Sequence, residues 1–130
     1  MSKPKEIESA EPTRGQLERT LSQRIQAFYR TQLGHQPGKV TCQIFDTKVA
    51  IILEDSITKP EQLLVQNDRE ELAEQVRSDL DEVIQPLLKA LIEEIVGVSV
   101  IDLLSDAKMD TGRSGTIAVL AEKPQIRNAS

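Results

Sequence analysis

Aromatic side chains are nearly missing from this chain of 130 residues: Phe28, Tyr29 and Phe45 are the whole set, and there is no tryptophan. Stacking platforms for single-stranded nucleic acid need exposed rings, so that class of surface is excluded. Positive charge is short as well. A formal net charge of −5 leaves no general basic face for a phosphate backbone, so no nucleic acid is expected as a partner. The one cysteine, Cys42, has no mate for an internal disulfide, and the one histidine, His35, has no serine or cysteine placed to form a nucleophilic pair. No Cys/His spacing suits a metal ion, and no cofactor motif is present. No apolar run approaches the roughly 20 residues that cross a bilayer, and no signal-peptide pattern opens the chain, so a cytoplasmic protein is expected. An aliphatic core of Ile, Leu and Val has to do the work that aromatic residues do elsewhere.

The stretch 68–97, DREELAEQVRSDLDEVIQPLLKALIEEIVG, dominates what is there. Leu72, Val76, Leu80, Val83, Leu87 and Leu91 recur at three- and four-residue spacing, which predicts a long helix with that stripe on the core. Asn67 with Glu70 suggests a capping box, Gly97 a left-handed stop, and Pro86 a kink. Ile84, Leu88, Ile92 and Ile95 add a second apolar flank. A sheet covers one stripe, so this flank is expected to form a two-fold dimer interface. The N-terminal helix, or a rotation at Pro86, would instead cover it within the chain.

Before that helix, residues 1–15 lack periodicity and read as a disordered leader. Thr13 and Gln16 suit a capping box, and Leu17, Leu21, Ile25 and Phe28 make an apolar stripe on a first helix. Arg19, Gln23, Gln26 and Arg30 fall opposite, as a solvated or partner-facing edge. Residues 14–48 carry six basic and two acidic side chains, against two basic and seven acidic in 68–82. That imbalance suggests the first helix lies near the acidic half of the long one. Val40, Cys42 and Ile44 alternate with polar residues, as do Val49, Ile51 and Leu53. A two-residue turn at Asp46-Thr47 pairs Ile44 with Val49, Cys42 with Ile51 and Val40 with Leu53, placing all six on one face. Thr58 and Pro60 open a short helix. Val98 to Leu104 reads as a strand, 105–115 as a loop, 116–121 as the last strand and 122–130 as a polar tail. The fold class is α+β: a mostly antiparallel four-stranded sheet from two hairpins, packed against a long helix and an N-terminal helix in the order α-β-β-α-α-β-β, forming one domain over 16–121.

Candidate chemistry is thin. Asp110-Thr111-Gly112 matches the aspartic-protease triplet, but Arg113 and the helical context point to a hairpin loop. Asp102, Asp106 and Asp110 lack the further oxygen ligands of a calcium loop and read as solvated acids. Asp106, Asp110, Arg113 and Ser114 form a candidate anion- or ligand-sensing loop, with backbone N–H groups from the glycines nearby. Cys42 sits on the predicted core face as a small hydrophobe. No constellation has the specificity of a catalytic motif, so no enzyme is expected.

Several features together carry a resemblance: Leu33-Gly34-x-x-Pro37, Ile57-Thr58-x-Pro60-Glu61, Val76-Arg77, Pro86, Gly97-Val98, and Ser105-Asp106 followed by Thr111-Gly112. Over 33–120 the chain resembles a family of small bacterial proteins labelled MpsC-type components of a sodium-translocating, membrane-potential-generating system. It departs from the family in having Asp46-Thr47 where a Gly-Asp turn is common. The resemblance implies association with a membrane system linked to sodium and inorganic-carbon uptake, and it carries no catalytic residues. The expectation is a non-catalytic accessory or regulatory protein, homodimeric and docking on a larger, membrane-associated partner.

Overall fold

A computed structural model describes residues 11–127 of the chain. Helix α1 (Arg14–Leu33) starts at the expected capping box: Gln16 N donates to Thr13 Oγ1 at 3.2 Å and Thr13 N donates to Gln16 Oε1 at 2.9 Å. Two orphan amides are thereby satisfied, and Gly34, at φ 68, stops the helix. Leu17, Leu21, Ile25 and Tyr29 are the buried face. Phe28, expected there, is only partly buried and meets Tyr29 edge-on, with ring centroids 5.4 Å apart.

Strands β1 (Lys39–Phe45) and β2 (Lys48–Glu54) pair in the expected register, Ile44 with Val49, Cys42 with Ile51 and Val40 with Leu53. The turn without glycine closes because Asp46 itself adopts φ 58, which a short polar side chain tolerates. Helices α2 (Lys59–Gln66) and α3 (Glu70–Val96) follow. Asn67 does not cap α3: its Nδ2 donates back to Leu63 O at 2.8 Å, and Asp68 takes φ 59 between the helices. Helix α3 passes through Pro86 as one element and stops at Gly97, φ 78.

Strands β3 (Val100–Lys108) and β4 (Arg113–Leu120) complete an antiparallel sheet of order β1-β2-β4-β3. The predicted loop 105–115 is therefore mostly strand, and the turn is confined to 109–112. An edge strand tolerates the polar run Ser105 to Lys108 because one of its sides faces water. The helices cover one sheet face, where Cys42, Ile44, Val49, Ile51, Leu53 and Ala118 are buried. The packed unit runs beyond residue 121. Pro124 is buried, Ile126 packs on the core, Gln125 N donates to Val96 O at 3.3 Å and Arg127 N to Pro12 O. Of the expected leader, residues 1–10 lie outside the described residues, and α1 already begins at Arg14.

The long helix faces the core with a neighbouring flank rather than the one its leucine spacing predicts. Ile84, Leu88, Ile92 and Val96 are buried, continued toward the N-terminus by Ala73 and Arg77, and Ile95 packs on the cluster at its edge. The expected core stripe lies mostly outside: Leu72 is 49 % exposed, Val83 68 % and Leu87 45 %, Val76 and Leu80 are half-buried, and Leu91 packs on the edge of the core. The flank proposed as a dimer interface is the core, because α1 and the sheet together close over it. At roughly 100° per residue the two stripes sit about a quarter-turn apart, each with valid helical spacing, so periodicity alone does not rank them.

Candidate functional site

The N-terminal half of α3 is held by charge rather than by apolar contact. Glu61 at the start of α2 is fully buried, and Arg77 of α3 reaches it with two bonds, Nε to Oε2 and Nη2 to Oε1, both 2.8 Å. This is a bidentate guanidinium–carboxylate pair, the geometry that best offsets desolvation. The remaining valences are used. Thr58 N and Oγ1 donate to Glu61 Oε1 at 3.1 and 2.7 Å, and Arg77 Nη2 also donates to Ser56 O at 2.9 Å. Ser56 in turn donates from N and Oγ to Gly112 O at 2.8 and 3.1 Å, tying the pair to the β3–β4 turn. Among the described residues no buried side-chain nitrogen or oxygen lacks a partner. The sequence signals for this hub are Glu61 in a capping position and Arg77 four residues after Ala73 and seven before Ile84. Charged residues are ordinarily assigned to solvent, so both were missed as a buried pair.

Beside the hub, α3 and the β3–β4 hairpin enclose a groove of about 740 Å³. Its lining includes five carboxylates (Glu74, Asp81, Glu82, Asp106, Asp110) and two cationic side chains, Arg77 and Lys108. Asp81 lines it, its Oδ1 3.5 Å from Arg77 Nη1. Burial pushes the Asp81 carboxyl above its ordinary 3.8; Arg77 pulls it down, and Glu61 and Asp106 push it up again. Tyr29 and Asp81 line a small adjoining pocket, and the Tyr29 hydroxyl is pushed up to about 12 first by burial and then by Asp81. Cys42 is buried as expected, and its thiol, pushed up to about 11 by burial, stays protonated.

The candidate ligand loop does not assemble as a loop. Asp106 and Asp110 line the acidic groove, whereas Arg113 Nε donates to Glu54 Oε1 at 2.7 Å and Ser114 lies on the opposite strand across from Ala107. An anion there would face carboxylates rather than a free guanidinium. Asp102, Asp106 and Asp110 do not converge, and no group of three potential metal ligands occurs among the described residues. The α1 edge is likewise divided. Arg19 and Gln23 are exposed, but Gln26 donates to Pro37 O at 2.8 Å and Arg30 to Gln36 Oε1 at 3.3 Å, securing the turn before β1.

The face of the sheet away from the helices is uncovered. Register places Phe45, Ala50, Ile52, Leu104, Ile117 and Val119 on it, and Phe45, Ile52 and Leu104 are each among the exposed large apolar residues. No helix among the described residues is long and apolar enough to cross a membrane. Comparison with curated proteins and with solved structures gives no match. The family described as "Na+-translocating membrane potential-generating system (MpsC)" matches residues 13–122, which span every helix and strand above, and the chain belongs to that family.

Proposed function

We propose that this chain is a non-catalytic accessory protein of the sodium-translocating, membrane-potential-generating system, acting from the cytoplasm by docking on a membrane subunit. The observation that carries this reading is the open sheet face. Phe45, Ile52 and Leu104 stand in water on a four-stranded sheet whose other face carries the buried core. Contiguous apolar surface of this kind on a small domain marks a protein contact. The satisfied Glu61–Arg77 hub supports the same reading, since its groups are spent on holding α2, α3 and the β3–β4 turn together. The anion-sensing alternative is not favoured, because Arg113 is committed to Glu54.

The test is complementation in cells that carry the system and lack this chain. A potential-sensitive dye would report the sodium-driven membrane potential, and fractionation would report recovery with membranes. Wild type should restore the potential and co-fractionate. The double variant Ile52→Glu/Leu104→Glu should do neither while melting like wild type. Full restoration by that variant would remove the sheet face from the function.

A further inference from the structure

The two edges of the sheet are finished differently. On β1 the outer side meets α1, whose Glu18 Oε2 accepts from Ile44 N at 2.8 Å. Strand β3 pairs with β4 alone. Side chains cap its two ends: Val100 N donates to Glu93 Oε2 at 2.8 Å, and Ala107 N to Asp106 Oδ1 at 2.9 Å. The Ala107 amide therefore points away from β4, and antiparallel alternation turns the backbone groups of Leu103 and Ser105 the same way. Between the caps these groups have no bonding partner among the described residues. Hollows run beside them on the helix side. The acidic groove of about 740 Å³ lies along 105–110, and a hollow of about 300 Å³ between α3 and residues 101–103 continues it, with Gln85 lining both. Asp102 to Lys108 spans roughly 20 Å at about 3.3 Å per residue, room for one added strand of ordinary length.

From this we infer that the open edge of β3 takes an added strand from a partner protein, an extended segment with lysine or arginine at every second position and apolar residues between. The groove selects that charge. Side chains of an added strand that lie level with Leu103, Ser105 and Ala107 point to the helix side, as Ser105 does where its Oγ meets the buried Thr116 Oγ1 at 2.8 Å. They enter beside Glu74, Glu82 and Asp110, none of which makes an ion pair among the described residues. Arg77 is spent on Glu61, so Lys108 is the one cation opposing them there. The alternate side chains fall on the open face beside the exposed Leu104. A second copy's β3 would bring its own Asp102 and Asp106 to the same place, where like charges oppose pairing. The source of the strand rests on the accessory role proposed above: cytoplasmic loops of membrane proteins carry an excess of lysine and arginine beside their spans, which is the charge this groove lacks.

Fluorescence anisotropy of the full chain, in about 150 mM salt, with labelled peptides of about ten residues separates strand addition from charge alone. The probes are alternating Lys–Val, the same peptide with every backbone amide N-methylated, and alternating Glu–Val. Methylation keeps the side-chain charge and removes the donors that an added strand needs. Lys–Val should bind saturably, the methylated peptide at least about tenfold more weakly, and Glu–Val not at all. Hydrogen exchange at Leu103 and Ser105 should slow with Lys–Val and stay unchanged with the methylated peptide. Glu82→Lys/Asp110→Lys, at two exposed positions, should weaken Lys–Val about tenfold or more at an unchanged melting temperature. Phe45→Glu, at the opposite edge of the sheet, should bind it like wild type. The isolated chain is used throughout, so failure here leaves the accessory role to the complementation test, and failure of complementation leaves the peptide result standing. No binding of Lys–Val, equal binding of the methylated peptide, binding that survives Glu82→Lys/Asp110→Lys, or protection away from β3 would each overturn the inference.

Discussion

The two halves of α3 are held to the domain by different physics. From Ile84 to Val96 the helix buries Ile84, Leu88, Ile92 and Val96 against α1 and the sheet, an apolar seam that needs no partner chemistry. From Glu70 to Val83 it buries only Ala73 and Arg77, and Arg77 is secured by Glu61, Ser56 and Asp81. The C-terminal half tolerates changes of shape poorly, and the N-terminal half tolerates changes of charge poorly. A buried bidentate pair also fixes orientation, because only one rotation of α3 aligns Arg77 with Glu61, and that rotation decides which apolar stripe is covered.

Substitutions sharpen the contrast, the largest effect first. Ile92→Asp places a lone carboxylate among apolar side chains in the packed half. It should remove more than about 4 kcal/mol, enough to unfold a domain of this size, as followed by circular dichroism in urea. In the polar half, Arg77→Met leaves Glu61 buried without its cation and should cost about 3–5 kcal/mol. The double variant Glu61→Met/Arg77→Met should recover much of that, because removing both charges also removes the desolvation. If the double variant is as unstable as the single, the loss in Arg77→Met does not come from leaving the Glu61 charge buried without its partner. Gly97→Ala tests where the packed half ends: φ is 78 and an added Cβ would sit 2.8 Å from Gln125 Oε1, so a loss of about 1–2 kcal/mol is expected in urea.

The smallest effect is at Asp81. Its folded carboxyl titrates above the unfolded 3.8, so its contribution favours folding below that value and is lost as pH rises through the raised one. Burial works against the ionised carboxylate, and Arg77 only partly offsets that cost. Asp81→Asn should therefore melt at or slightly above wild type near pH 7, and the gap should close as pH falls toward 3.8. A variant that melts well below wild type at pH 7 would mean that the contact to Arg77 outweighs desolvation.

How legible these features were depended on how local their cause was. The β1–β2 register could be read residue by residue, since period-two alternation and one turn length determine it together. The Thr13–Gln16 cap and the Gly97 stop were equally local. The strand character of Ser105 to Lys108 was hidden because an edge strand may carry charges that a central one may not, and edge position is a property of the sheet. The choice between the stripes of α3 was hidden for a related reason. Six apolar residues on the outer stripe outnumber the buried ones, and in the N-terminal half the core positions are Ala73 and Arg77, which no hydrophobic pattern would select. A buried arginine is intelligible only once Glu61 is seen opposite it. The acidic groove was half visible: Asp106 and Asp110 were singled out, but Glu74, Asp81 and Glu82 join them only through the pairing of α3 with the hairpin.

Leu87 and Leu88 are adjacent in sequence and chemically identical, yet Leu88 is 2 % exposed and Leu87 45 %. Urea unfolding of Leu87→Ala and Leu88→Ala compares the two stripes directly. Leu88→Ala should lose about 2–5 kcal/mol, the cost of a core leucine with its cavity, and Leu87→Ala less than about 1 kcal/mol. Equal losses, or a larger loss at Leu87, would contradict the rotation of α3 on which the hub, the groove and the exposed stripe all depend.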